Sequence, residues 1–313
     1  MKFGIQHPNF TYDGKETEIV EKLKLVASNA ERVGFDSFWV MDHFHQIQYV
    51  GQPQEPMLES WTTLAALAGV TTKIRLGTLV TGIIYRYPSV LAKIGATLDV
   101  LSQGRLFMGI GAAWNEEESK AYGIPFPKPK ERLQRLEEAV QIIQKMWIEK
   151  RATFDGKFYI IRDAICEPRP IQKPHPPIMI GGAGERETLK IVAKYADACN
   201  LFGSANTIKR KLQILRNHCK AVGRDYEAIL KTKLGTVAVD DDLDKLQKRI
   251  AERFKDVPEN MRNEMITYGR LDDVYRRIEA FREAGIDYFI ANFEPERELE
   301  TINLFGNTII RKY

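Results

Sequence analysis

Cysteine is scarce in this chain: three in 313 residues, Cys166, Cys199 and Cys219. They are far apart, odd in number and form no CxxC pair, so neither a disulfide framework nor a cysteine-held zinc is suggested. No window approaches eighteen uninterrupted apolar residues, and the opening MKFGIQHPNF lacks the basic-then-apolar pattern of a signal, which points away from a secreted or membrane-spanning protein. Blocks of like charge are missing as well. The 46 Lys and Arg are interleaved with 42 Asp and Glu for a net charge of +4, which leaves no dedicated nucleic-acid surface and room only for a local basic rim around an anionic ligand. Neither a Walker pattern nor a GxGxxG fingerprint occurs, so a nucleoside triphosphate or a conventionally Rossmann-bound nicotinamide is disfavoured. The expectation is a cytoplasmic enzyme acting on a small molecule, with no nucleic-acid or membrane partner.

Residues 38–44, FWVMDHF, organise what is present. Phe38, Trp39, Val40 and Met41 make a short apolar strand that ends abruptly in Asp42 and His43. An apolar strand delivering an acid and an imidazole at its C-terminal end is how parallel α/β enzymes mount chemistry on a rigid support. Upstream, residues 2–6 read as a first strand. Residues 17–33 read as a helix with Val20, Leu23, Ala27, Ala30 and Val33 on one face, closed by Gly34.

The alternation then repeats. A proline-bearing loop over residues 46–59 precedes a helix marked by Trp61, Leu64, Ala65 and Ala68, and a third strand over 74–80 ends in Thr81 and Gly82. Pro88 opens another helix, and RLFMGI, residues 105–110, empties into Gly111, Ala112, Ala113, Trp114 and Asn115. Residues 116–176 interrupt the pattern with prolines, a long helix through Leu136 and Trp147, and a hairpin centred on an Asp155-Gly156 turn. Strands over 177–180, 196–201, 229–239 and 288–291 complete eight, separated mostly by helices. That is the count of a (β/α)8 TIM barrel forming one domain over residues 1–313, although a doubly wound open sheet produces a similar alternation.

His43 is the first chemical candidate, because barrel active sites lie at strand ends; Asp42 beside it serves a ligand or the loop itself. His43 and His45 form an HxH pair that invites a metal-hydrolase reading. Later strand ends offer Thr81, Asn115, Gly181, Gly203 and Asn292 instead of further ligands, so no metal is expected. Gly181, Gly182, Ala183 and Gly184 form a glycine-rich turn before a helix, where free N–H groups and the helix dipole favour a phosphate. Thr81-Gly82 and Gly109-Ile110-Gly111 would leave a flat floor for a planar ring, or else mark close packing.

Taken together, FDSFWVMDHF, EPMLESWTTLAALAGVTTKIRLGTLVTG, YRYPSVLAK, TLDVLSQGRLFMGIGAAWNEEE and PPIMIGGAGERETLK resemble, in their order and spacing, the luciferase-like monooxygenase superfamily, in particular its coenzyme F420-dependent oxidoreductases. The resemblance implies a TIM barrel with an insertion between strands 4 and 5, and a homodimer. It places His43 at the reacting face of the deazaflavin. Asp42, Thr81, Gly82, Ile83, Gly111, Ala112 and Asn115 would surround the ring and its side chain, with Gly181, Gly182, Ala183 and Gly184 at the phosphate. It also implies a non-proline cis peptide near Gly82-Ile83. Sugar-phosphate-oxidising relatives carry a carboxylate just past the glycines of strand 4. Here Ala112, Ala113 and Trp114 stand there, so that specificity is not carried over, and whether Glu116, Glu117 or Glu118 substitutes is open. The implied activity is hydride transfer between F420 and a small organic substrate; the alternatives are an FMN-dependent monooxygenase of the same superfamily and a non-catalytic flavin-binding protein.

Overall fold

The computed structural model describes residues 1–12, 16–48, 50–255 and 257–313. Its strands are β1 (Lys2–His7), β2 (Ser37–Val40), β3 (Arg75–Thr78), β4 (Thr81–Gly82), β5 (Leu106–Gly111), β6 (Ala152–Asp155), β7 (Ile160–Ala164), β8 (Ile178–Gly181), β9 (Ala198–Leu201), β10 (Leu230–Val239), β11 (Ile266–Gly269) and β12 (Tyr288–Phe293). The helices are α1 (Ile19–Arg32), α2 (Ser60–Ala68), α3 (Pro88–Leu101), α4 (Glu116–Ala121), α5 (Pro129–Ile148), α6 (Thr188–Tyr195), α7 (Ala205–Val222), α8 (Leu243–Arg253), α9 (Glu259–Met265), α10 (Leu271–Glu283) and α11 (Glu298–Thr308).

Eight parallel strands, β1, β2, β3, β5, β8, β9, β10 and β12, pair in a closed ring. Closure runs through Leu230↔Ala198 between β10 and β9 and through Lys2↔Tyr288 between β1 and β12. The open-sheet alternative is thereby excluded, and the architecture is a (β/α)8 barrel. Alternation along each strand divides the core in two. Trp39, Phe107, Met179, Tyr288 and Ile290 fill the barrel interior, while Phe38, Val40, Ile110, Ile180 and Phe289 face the helices in the larger outer cluster. Gly34 has φ +99°, a conformation only glycine adopts freely. It lets the amide of Phe35 reach back to the carbonyl of Ala30 and turn the chain from α1 into β2.

Three local expectations are corrected. The strand expected over 74–80 stops at Thr78, and pairing resumes with β4 against β5. The cis peptide expected near Gly82-Ile83 is at Leu79–Val80; Thr81 and Gly82 are held in register with Ile110 and Gly111, and Ile83 donates its amide to the Gly111 carbonyl. The hairpin between β6 and β7 exists, but its turn spans residues 156–159 and not Asp155-Gly156, because the Glu138 carboxylate accepts from the amides of Lys157, Phe158 and Tyr159. Residues 259–269, to which the sequence pattern assigned no element, hold α9 and β11. The latter is a strand by virtue of pairing with the far end of β10, Thr236↔Ile266 onward. Tyr49, within the loop over 46–59, lies outside the described residues.

Candidate active site

The C-terminal ends of the barrel strands surround two adjoining cavities. One, of about 280 Å³, is lined on its far side by Gly181, Gly182, Thr188 and Asn200. The other, of about 310 Å³, lies toward Gln6, Met41, Met265 and Phe293. His43, Leu79, Trp114, Phe202 and Leu234 line both, so the imidazole sits where the two meet.

The position of His43 is set by a residue 75 positions away. Its Nδ1 lies 2.8 Å from Oε2 of Glu118, which is fully buried on α4. A carboxylate only accepts, so Nδ1 carries the proton and Nε2 is the nitrogen left for the cavities. Glu118 also accepts from the Tyr85 hydroxyl at 2.7 Å and from the amide of Phe44. Burial pushes the Glu118 carboxyl up, but the bonds from His43, Tyr85 and Phe44 outweigh it and hold the group below the ordinary carboxylate range. Burial, then the bond to Glu118, raises the Tyr85 phenol well above its usual value, so it stays a donor. Glu118 therefore does not stand in for the carboxylate missing after β5; it points into the fold and orients the imidazole. The indole of Trp114 meets the His43 ring edge-on, with centroids 5.5 Å apart.

Asp42 is buried and committed. It accepts from Ser60 Oγ at 2.7 Å and pairs in a fork with Arg86, at 2.6 and 3.1 Å, which in turn bonds Glu59 at 2.6 Å. This network fastens the end of β2 to α2 and to the start of α3 while one side of Asp42 still lines the smaller cavity. Gly82, Gly111, Ala112, Gly181 and Gly182 also line that cavity. Thr81, Ile83, Asn115, Ala183 and Gly184 are not among its lining residues. Thr81 is buried and accepts from the Trp61 indole, Ile83 is packed in the outer core, and Asn115 caps α4 by accepting from the Glu118 amide.

The glycines do not form a bare floor. A Cβ on Gly111 or Gly181 would come within 2.8 or 2.7 Å of Val80, so these two strand ends are glycine because Val80 packs between them. Val80, Leu79, Tyr85, Asn200, Phe202 and Leu234 line the cavity without having been signalled by the sequence. The loop before α6 does suit an anion. Gly182 has φ +122°, and no described residue accepts from the backbone amides of Ala183 or Gly184. The nearby acid Glu185 is neutralised by Arg210 at 2.5 Å. Among the described residues no three His, Cys, Asp or Glu side chains come together as a metal set; the second member of the HxH pair, His45, has its Nδ1 at the Gln46 carbonyl.

The model of the luciferase-like monooxygenases matches residues 1–254. The chain belongs to that family. This luciferase-like chain is similar to the F420-dependent glucose-6-phosphate dehydrogenase of Kineococcus radiotolerans, 39% identical over 176 residues, which are 56% of this chain and 49% of that one. It shares its fold with the coenzyme F420-dependent tetrahydromethanopterin reductase of Methanopyrus kandleri, with a TM-score of 0.83 at 21% identity over 100% of this chain and 99% of that one. It does so equally with the EDTA monooxygenase of Chelativorans, with a TM-score of 0.84 at 16% identity over 100% and 94%. Among the described residues no helix of this luciferase-like protein is long and apolar enough to cross a membrane.

Proposed function

We propose that this luciferase-like protein is an oxidoreductase that moves a hydride between coenzyme F420 and a small organic substrate. The observation that carries the reading is the oriented imidazole of His43 at the junction of a cavity ending in a glycine-rich anion loop and a second, mostly apolar cavity. The similarity to an F420-dependent dehydrogenase supports the choice of deazaflavin. When bound, the deazaflavin supplies the carbon that gives or takes the hydride. The chain's own work is to hold and to move a proton. The amides of Ala183 and Gly184 at the head of α6 would hold the phosphate, and Glu118 keeps the Nδ1 proton of His43 in place. Nε2 of His43 exchanges a proton with the substrate oxygen, a contribution typically worth 10²–10⁴ in rate.

Titration of the purified protein with F420 and with FMN tests the cofactor. Tighter binding of FMN with oxygen-dependent turnover would replace this reading with a monooxygenase, and cofactor binding without turnover of any acceptor would leave a flavin-binding protein. His43→Asn keeps a polar side chain but removes the titrating group. It should leave cofactor affinity little changed while hydride transfer slows by about two orders of magnitude in stopped flow; unimpaired transfer would make His43 a loop residue only.

A second copy of the chain is the proposed partner. The apolar side chains Val70, Tyr87, Val90 and Leu101 are exposed along and beside α2 and α3, and α2, SWTTLAALA, carries no charged residue. A monomer mass in sedimentation at micromolar concentration would refute this. The three cysteines are unpaired and buried, which fits the reducing cytoplasm proposed as its compartment.

A further inference from the structure

At the end of the barrel opposite the two cavities, where β2 and β12 begin, four polar side chains are bonded in one direction. The Trp39 indole donates from Nε1 to Ser37 Oγ at 2.5 Å, and Ser37 Oγ lies 2.5 Å from the Tyr288 hydroxyl oxygen. That hydroxyl donates in turn to Oδ2 of Asp36 at 2.9 Å. A hydroxyl has one proton to give, so with the Tyr288 proton committed to the carboxylate it is Ser37 that donates to the Tyr288 oxygen. Trp39 and Tyr288 are sealed in the barrel interior, at 0% and 1% exposure. Asp36 reaches the surface, where its other oxygen pairs with Lys2 at 2.7 Å. The chain of bonds therefore leads from the middle of the barrel to water.

Two neighbouring strands give way to make room for it. Gly4 of β1 is in register with Ser37, and a Cβ there would collide with Ser37 Oγ and with the indole nitrogen. Gly77 of β3 is in register with Trp39, and its Cβ would meet the indole ring at 2.5 Å. Glycine weakens a strand, and apolar side chains of equal volume would fill this space with no polar chain to satisfy. What the polar chain adds is a pair of electron-rich rings with a base attached. A phenol that loses an electron becomes a strong acid, so it is readily oxidised where a proton acceptor is already bonded to it. Until then Tyr288 stays protonated, because burial and then the charge of Asp36 raise its pKa well above the ordinary phenol value. Tyr85 also donates to a carboxylate, Glu118, but that group is fully buried and already accepts from His43 and Phe44, so a proton left there would be sealed in the fold.

We propose that Trp39 and Tyr288 form an oxidisable pair that draws one-electron oxidation away from the barrel mouth and holds it as a tyrosyl radical. The oxidant is an oxidised aromatic ring at the mouth, the indole of Trp114 after attack by a radical from solution. It takes one electron from Trp39. Tyr288 returns one electron to the Trp39 ring, and the phenolic proton passes to the Asp36 carboxylate. The oxidant is thereby reduced by one electron, Trp39 is restored, Tyr288 is left as the neutral radical, and Asp36 carries the proton. Trp39 stands four residues before His43, at most roughly 14 Å of extended chain, so the pair begins beneath the cavities and leads away from them. The Phe107 ring packs against the indole with centroids 5.1 Å apart and keeps water from it. This one-electron path is separate from two-electron hydride transfer and does not depend on which cofactor the mouth receives.

The test is pulse radiolysis of the full chain with azide radicals, which oxidise indoles. Trp39, Trp61 and Trp147 are buried and Trp114 is 54% exposed, so the first radical forms at the mouth. Expected is a tryptophanyl absorption that decays as a tyrosyl absorption grows, at a rate independent of protein concentration and lower in heavy water. Tyr288→Phe should remove most of the tyrosyl signal and prolong the tryptophanyl one, while Tyr85→Phe should change neither. Asp36→Asn keeps an acceptor for the phenol but no longer takes its proton, and should slow the transfer at least tenfold. Should Tyr288→Phe not fold, Trp39→Phe carries the same comparison, with a reduced tyrosyl yield expected. A tyrosyl signal that survives these ring substitutions, that is lost in Tyr85→Phe, that grows at a rate set by protein concentration, or that is indifferent to Asp36→Asn would overturn the inference.

Discussion

Lys233, on β10, is buried with its ammonium group. Its Nζ donates to the Leu234 carbonyl at 3.0 Å and lies 4.4 Å from the centre of the Phe281 ring, and no described carboxylate pairs with it. Burial lowers its pKa from 10.5 to about 8. Below pH 8 the side chain is charged in both the folded and the unfolded protein, and folding bears the full cost of burying that charge. Between about pH 8 and 10.5 the unfolded chain binds a proton that the folded one does not, so stability should rise with pH across that window. The gap from 10.5 to about 8, at 1.36 kcal/mol for each pH unit, comes to about 3 kcal/mol. Lys233→Met replaces the side chain by an unbranched apolar one of similar length and gives up the bond to Leu234, worth about 1 kcal/mol, so a net gain of about 2 kcal/mol is expected at pH 7. For a chain of this size that corresponds to a melting temperature higher by about 3 °C. Melting curves of both proteins at pH 7 and at pH 10.5 are the assay. The advantage of Lys233→Met should be present at pH 7 and shrink at pH 10.5. A destabilised variant, or a gap of the same size at both pH values, would refute the reasoning.

Glu118→Gln keeps an acceptor for Nδ1 of His43 but removes the charge; hydride transfer should fall by about tenfold with cofactor affinity little changed, and stopped-flow rates equal to the parent would remove Glu118 from the positioning of His43. Gly182→Val puts a branched side chain where φ is +122° and should weaken cofactor binding at least tenfold, about 1.4 kcal/mol; unchanged affinity in a folded protein would move the phosphate elsewhere. Burial raises the Glu31 carboxyl, but hydrogen bonds from Ile74, Lys73 and Thr72 bring it below its ordinary value of 4.5. The stability these bonds provide is therefore present above pH 4.5 and lost as pH falls through the lower folded value. Glu31→Gln should be less stable than the parent at pH 7 and indistinguishable from it near pH 2, as read by urea titration.

What the sequence made legible was whatever depends on neighbours along the chain. The apolar run before Asp42, Pro88 at the head of α3 and Gly34 behind α1 are local signals, and the structure follows them. What it hid depends on partners distant in sequence. Glu118 was one of three adjacent glutamates; only the return of α4 beneath the end of β2 selects it. Strand β11 carries strand-forming Ile266, Thr267 and Tyr268 but is only four residues long, too short to stand out by pattern, and it is specified by pairing with β10. Gly111 read as open floor and Gly181 as part of a phosphate turn, and the side chain that packs between them, Val80, comes from a third segment. Asn115 looked like a ligand residue and proves to be a helix cap, a role that its place before three glutamates already offered.

The pairing of β1 with β12 joins residue 2 to residue 288 and residue 5 to residue 291. During synthesis, at about 5–20 residues per second, the first strand would wait roughly 15–60 s before its second neighbour exists. Over that interval the nascent sheet is an open one whose leading edge can pair with other chains. Once β12 arrives, α11 follows it and locks the seam with Glu298 on His7 and Asn303 on Arg32. The ribosome, and not the barrel's final stability, governs how long that edge is available to a chaperone or to a second nascent copy.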